Sequence, residues 1–141
     1  MGIKKSEPQQ KTGGVIKKQD VSNLPLKFSF KYFDATDAET CPPTFKDGYV
    51  QSLMERLKSL SSWTISDFLT PQGKAVRNHI VDWSTTARPD GFKHLNKQLA
   101  AYPAHQFSIS KSSAGRVHGL LIDDTFHICW LDQDHKVYPG K

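Results

Sequence analysis

Apolar side chains recur at two periods along this chain, and the change from one period to the other marks out its elements. Residues 26–33, LKFSFKYF, alternate: Phe28, Phe30 and Tyr32 fall on one face and Lys27, Ser29 and Lys31 on the other, which is the period of a strand. Residues 34–46, with Pro42-Pro43 among them, read as a loop. The period then lengthens. Val50, Leu53, Met54, Leu57 and Leu60 follow at helical spacings while Glu55, Arg56 and Lys58 face the other way, and Asp47 stands where a cap would open the helix. Thr64-Ile65-Ser66-Asp67 has the form of a capping box with Asp in place of Glu, predicting a short second helix through Phe68 and Leu69 that Pro71 and Gly73 end. Residues 75–83 fit strand and helix equally. Asp90 is placed to cap a third short helix through Phe92, Leu95 and Leu99, stopped by Pro103. Alternation returns at residues 106–110, with Phe107 and Ile109 inward. Residues 116–122 and 125–131 then form a hairpin around Asp123-Asp124.

This order predicts an α+β fold: helices packed on one antiparallel sheet, a C-terminal β-hairpin and a disordered N-terminal arm. The arm is residues 1–23, flexible and Lys-rich, and residues 24–141 form a single α+β domain. A length of 141 residues leaves room for one domain, and eight Phe, four Tyr and three Trp supply a core that a wholly disordered chain would not carry. No apolar run approaches the ~18 residues of a membrane span, which excludes an integral membrane protein. The opening MGIKKSEPQQ has basic residues but no apolar stretch after them, so it is not a secretory signal. The expected location is the cytoplasm.

The formal charge of +5 is concentrated at one end. Residues 1–20 hold Lys4, Lys5, Lys11, Lys17 and Lys18 against Glu7 and Asp20, so the arm carries +3 and the body only +2. Such an arm attracts RNA, DNA or an acidic partner, or is simply a solvated tail. The two cysteines, Cys41 in a Cys-Pro-Pro loop and Cys129 in an apolar strand, form no CxxC pair and read as reduced thiols.

The hairpin register is where chemistry first emerges. If Asp123-Asp124 is a two-residue turn, Ile122 faces Thr125 and Leu121 faces Phe126. Alternation then puts Val117, Gly119, Leu121, Phe126, Ile128 and Trp130 on a core face and Arg116, His118, Leu120, His127, Cys129 and Leu131 on the other. His118 would lie opposite Cys129, with His127 one diagonal step away, so Arg116, His118 and His127 converge. Three readings fit that patch. One is a ribonuclease site, because cleaving RNA by its own 2′-hydroxyl needs a base, an acid and a cation on the phosphate, and no metal. Another is a zinc site from His118, His127 and Cys129, with no fourth ligand at a helpful spacing. The third is an ordinary wet sheet face with a small buried Cys129. Beyond the hairpin, Asp132 and Asp134 form a DxD pair that suits Mg²⁺ or a plain turn. His135 and Tyr138 can act as acid or base if the tail folds back over the sheet, and Lys111 and Lys136 can touch phosphates. His79, His94 and His105 have no partner that the sequence places.

The order of elements, together with Arg116 in GRVHG and the terminal run from His135 to Tyr138, resembles the RelE/ParE toxin superfamily, which includes YoeB-like messenger-RNA endonucleases. RVHGLLIDDTFHICWLDQDHKVYP also looks like uncharacterised bacterial proteins, a likeness that implies no activity. The toxin resemblance implies a cytosolic bacterial protein acting on RNA, a metal-independent endoribonuclease that inhibits translation without a cofactor. Arg116 would stabilise the phosphate, His118 and His135 would be the acid–base pair, and Tyr138 and Lys111 would support them. His127 and Lys136 would contact RNA. The implied partners are RNA or the ribosome and an acidic antitoxin. The alternative is a non-enzymatic nucleic-acid or protein-binding module that uses the Lys-rich arm and exposed aromatics such as Tyr32 or Trp83.

Overall fold

The computed structural model describes residues 20–71, 73, 76–111 and 115–138. Most of the expected arm lies outside these. Its last residues are anchored: the Ser66 N–H donates to the Ser22 carbonyl at 3.0 Å, and Val21 packs against the core.

The elements run β1 (Lys27–Ser29), α1 (Tyr49–Leu60), α2 (Ile65–Leu69), β2 (His79–Ile80), a 3₁₀ turn (Trp83–Thr85), α3 (Lys97–Ala100), β3 (Ala104–Ser108), β4 (Arg116–Ile122) and β5 (Thr125–Asp132). The five strands form one sheet in the order β1-β5-β4-β3-β2. The fold is α+β as the pattern predicts, but the sheet is mixed rather than antiparallel, because β1 runs parallel to β5. Among the described residues no helix is long and apolar enough to cross a membrane.

Local chemistry explains most of the boundaries. β1 stops at Ser29 because the Ser29 hydroxyl accepts the Lys31 N–H at 3.1 Å and turns the chain, leaving Phe30 exposed. The outer edge of β5 is then completed by the following loop, with Asp34 N–H on the Cys129 carbonyl at 3.0 Å and Leu131 N–H on the Thr40 carbonyl at 3.0 Å. α1 begins at Gly48, whose φ of 80° suits glycine, rather than with a cap from Asp47. It buries Tyr49, Leu53, Leu57 and Leu60, while Val50 and Met54 stay exposed, so the apolar stripe is narrower than the spacing suggested. The capping box of α2 is present: Asp67 N–H donates to Thr64 Oγ1 at 3.1 Å, and Thr64 N–H to Asp67 Oδ2 at 2.9 Å. The third helix is capped by Asn96, not Asp90, because Gly91 at φ 66° makes a turn there. In the stretch that fitted strand and helix equally, His79–Ile80 is strand and a 3₁₀ turn opens at Trp83, with residue 75 outside the described residues.

Both faces of the sheet are buried. Leu53, Leu57 and Leu60 of α1 and Ile65 and Phe68 of α2 cover one face, packing on Phe107, Val117, Phe126, Ile128 and Leu131. The other face, expected to be wet, is covered by irregular chain: Val81, Phe92, Val137 and Tyr138 close over Leu120, Cys129 and Trp130.

β4 and β5 pair antiparallel with Ile122 facing Thr125 and Leu121 facing Phe126, down to Gly119 facing Ile128. There the register slips by one, so His118 faces Trp130 and Arg116 faces Asp132. This bulge corrects the expected faces beyond it. Trp130 crosses to the His118 side and Leu131 to the helix side. Gly119 permits it: a Cβ there would lie 2.2 Å from the His127 carbonyl oxygen.

Candidate functional site

The bulge aligns two rows of side chains on the face away from α1 and α2. Strand pairing sets His79 beside Gln106, Gln106 beside His118 and His118 beside Trp130, a row across four strands. The next row is Ser108, Arg116 and Asp132. Without the extra residue in β5, Arg116 would face Leu131 and the carboxylate of Asp132 would not be across from it.

Asp132 then organises the tail. It is buried, and its carboxylate accepts the backbone N–H of Lys136 and of Val137, both at 2.9 Å. That folds the chain back, with His135 in the left-handed region at φ 57°. Ala87 N–H holds the Val137 carbonyl at 2.8 Å, and the Tyr138 hydroxyl accepts the Asp82 N–H at 3.0 Å. The result is an open cavity of about 360 Å³ lined by Arg77, His79, Gln106, Arg116, His135 and Tyr138.

Hydrogen bonding along the first row sets which ring nitrogens donate. The Gln106 amide nitrogen can only donate, so His79 Nε2 accepts from it at 2.9 Å, and His79 Nδ1–H donates to the Ile80 carbonyl at 2.9 Å. The Gln106 amide oxygen accepts from His118 Nε2–H at 2.8 Å. His118 is wholly buried, and its Nδ1 finds no hydrogen-bond partner among the described residues. Burial above all, then the charges of His135, His79 and Arg116, pushes its pKa down to about 3. His118 is a neutral core imidazole at physiological pH.

His135 differs. Its ring makes no hydrogen bond among the described residues, and burial followed by the Arg116 charge lowers its pKa, favouring the neutral base. The Arg116 guanidinium donates to the Gly115 carbonyl at 3.1 Å. Burial raises the pKa of Asp132 above the ordinary carboxylate value, although two backbone donors oppose this.

Of the residues marked from sequence, Arg116, His135 and Tyr138 therefore meet at one cavity. His118 lies beneath its wall and does not line it. His127 packs at a tilt against Tyr32 with ring centroids 4.9 Å apart and belongs to the other end of β5. Lys111 is exposed and borders a separate groove with Glu55 and Arg56, and Lys136 is exposed on the tail. His118, His127 and Cys129 do not form a common cluster: among the described residues, no group of three or more His, Cys, Asp or Glu could hold a metal ion. The DxD pair diverges, Asp134 pairing with Lys46 and Asp132 with backbone. Burial pushes the Cys129 thiol up to about 12, so it is not a nucleophile at neutral pH. Sequence reasoning missed Arg77, Gln106 and the role of His79. Only the pairing of β2 with β3 could have revealed them.

A second cavity, of about 600 Å³, is lined by residues that include Asp34, Asp37, Arg88, Asp90, His94 and Trp130. Here the charges are paired. Arg88 donates to Asp37 at 2.7 Å and Glu39 at 2.8 Å, with its guanidinium 4.8 Å from the Trp130 ring centroid. His94 Nδ1 is 3.6 Å from Asp34 Oδ2, which also accepts from Trp130 Nε1 at 3.3 Å.

No family model, curated protein or solved structure matches the chain significantly.

Proposed function

We propose that this chain is a metal-independent endoribonuclease of the cytoplasm, resembling the RelE/ParE toxins, which inhibits translation by cutting messenger RNA, with the ribosome and an acidic antitoxin as partners. The observation that carries the reading is the convergence of Arg116, His135 and Tyr138 on one cavity with no carboxylate among its described lining residues. The order of strand, helix pair and antiparallel strands also agrees with that resemblance.

The chemistry follows from the three side chains. Arg116 holds the scissile phosphate and offsets the charge that builds on it. Neutral His135 takes the proton of the 2′-hydroxyl as its oxygen bonds to phosphorus. The bond from phosphorus to the 5′-oxygen breaks, and Tyr138 gives that oxygen its proton. Its hydroxyl accepts from Asp82 N–H and keeps its own hydrogen to donate. The products are a 2′,3′-cyclic phosphate and a free 5′-hydroxyl, and solvent returns the proton from His135 to Tyr138. The acid–base pair is thus His135 and Tyr138, since His118 is sealed off.

The test is induction of the chain in a bacterium with bulk protein synthesis and messenger-RNA ends as readouts. Wild type is compared with Arg116→Ala, His135→Ala and Tyr138→Phe at matched soluble expression. Arrest by wild type and its loss in the variants is expected. A harmless wild type at high soluble expression would overturn the reading in favour of a non-enzymatic binding module.

A further inference from the structure

Arg77 lines the same cavity through a backbone that disfavours it. Its φ of 53° lies in the left-handed region, where any side chain with a Cβ is crowded and glycine is the natural occupant. The surrounding structure holds it there from both sides. Val76 is buried, and its carbonyl accepts the Ser108 N–H at 2.6 Å. Asn78 is buried, and its amide donates to the carbonyls of Phe68 at 2.7 Å and Thr70 at 3.0 Å. The Arg77 N–H itself donates to the Gly73 carbonyl at 2.8 Å. With both neighbours pinned inward, the exposed Arg77 side chain is presented to the cavity that Arg116 also lines.

The electrostatics point the same way. Among the described residues no carboxylate lines this cavity and Arg77 has no ion-pair partner. Its positive charge disfavours the charged forms of Arg116 and of His135. Two like charges facing one cavity repel, and an anion with several acceptor oxygens relieves that repulsion while receiving planar guanidinium donors from two directions. Backbone strain maintained at such a place is a mark of function rather than of packing.

We infer that Arg77 and Arg116 together form a phosphate-binding subsite, Arg77 being a substrate-binding residue whose strained backbone the burial of Val76 and Asn78 maintains. The proposal rests on the ribonuclease reading only for the source of the phosphate: the shared chemistry is a phosphate group, free or within a phosphodiester.

The experiment uses the full chain with inorganic phosphate at constant ionic strength, by calorimetry and thermal melting, on wild type, Arg77→Lys, Arg77→Ala and Arg77→Gly. Phosphate should bind wild type and raise its Tm. Affinity should fall by about tenfold or more in Arg77→Ala and Arg77→Gly, with Arg77→Lys between. Arg77→Gly should melt about 2–5 °C above Arg77→Ala, because glycine accepts the left-handed backbone, so that lost binding is not lost folding. Unchanged phosphate affinity in Arg77→Gly, or no phosphate binding by wild type, overturns the subsite. A 2′-deoxy dinucleoside phosphate that competes with inorganic phosphate makes a phosphodiester the source, and failure to compete makes it a free phosphate or monoester. Phosphate binding without translational arrest would overturn the ribonuclease reading and leave the subsite standing. Arrest with undiminished phosphate binding in Arg77→Gly would do the reverse.

Discussion

The cavity around Arg88 encloses about 600 Å³ and the one around Arg116 about 360 Å³, and both border the same buried cluster, through Trp130 in one and Tyr138 in the other. They handle charge in opposite ways. In the larger, Arg88 is bound by Asp37 and Glu39 and lies over the Trp130 ring, and His94 and Lys93 each lie near a carboxylate. In the smaller, two arginines, two histidines and a tyrosine line an open cavity that has no carboxylate among its described lining residues. Size alone would choose the larger as the site. Charge pairing chooses the smaller, because paired groups have their interactions already satisfied and serve to hold loops 34–40 and 86–94 in place. Cations in a cavity whose described lining holds no carboxylate keep their affinity for an incoming anion.

The largest effect should come from exchanging one arginine in each cavity. Arg116→Ala is expected to lower RNA cleavage and translational arrest by about a hundredfold or more, the scale of losing one donor to a charged transition state. Arg88→Ala is expected to leave both within about threefold at equal amounts of folded protein. Amino-acid incorporation after induction, normalised to soluble protein, measures each. If Arg88→Ala abolishes arrest and Arg116→Ala does not, the roles of the two cavities are reversed.

Next comes the bulge that shapes both. By slipping the register of β5 it places Trp130 in the wall of one cavity and pairs Asp132 with Arg116, which lines the other. Gly119→Ala would drive a Cβ to 2.2 Å from the His127 carbonyl, a backbone atom that cannot swing aside. A loss of about 3 kcal/mol is expected in urea unfolding. A stability within about 0.5 kcal/mol of wild type would remove the bulge as the common cause.

How much of this is legible in the sequence depends on range. The α2 capping box spans four residues and is read directly, as is the pairing of Ile122 with Thr125 beside the turn. The bulge is not, because alternation carries no mark for one inserted residue, and Gly119 is its only local trace. The parallel pairing of β1 with β5 joins segments about a hundred residues apart, beyond any pattern along the chain. Arg77, His79 and Gln106 come together through a two-residue strand too short to show a period. The second face looked wet because its cover, Val81, Phe92 and Val137, is irregular chain whose apolar residues follow neither period. Arg116, His135 and Tyr138 were visible as residue types suited to phosphate and proton transfer, but their meeting required Asp132 to turn the tail.

Acid should act through His118, which hydrogen-bonds to Gln106 in the wall of the smaller cavity and packs edge-on against Trp130 of the larger. Its pKa falls from an ordinary 6.5 to about 3 on folding, so between those values the unfolded chain binds a proton that the native chain refuses. Stability from this group is therefore complete above about pH 6.5 and is lost as pH falls toward 3, amounting to about 2 kcal/mol at pH 5. His118→Gln retains a donor for Gln106 and removes the titration. Urea midpoints at pH 7 and pH 5 should fall more steeply for wild type than for this variant. Equal slopes would mean that His118 is not held neutral. His105, lowered to about 4 by burial and the His79 charge, contributes in the same direction in both proteins and cancels from the comparison.

The smallest effect tests the structural role assigned to the paired cavity. Arg88 joins two loops: its guanidinium meets Asp37 and Glu39 from the 34–40 loop and covers Trp130. The paired groups are about a quarter to nearly half exposed, so solvent screens much of the attraction, and the bidentate geometry and the ring contact carry the rest. Arg88→Ala is expected to cost about 1 kcal/mol. Because the Coulomb part is screened by ions, the difference from wild type should shrink between low and high salt without vanishing, the contact with the Trp130 ring being retained. Arg88→Lys keeps the charge but loses the fork and the guanidinium contact with the Trp130 ring, and should recover less than half of the loss. Full recovery by lysine, or a difference that salt erases, would make the pairing purely electrostatic and would return the larger cavity to the list of places where an external charge could compete for Asp37.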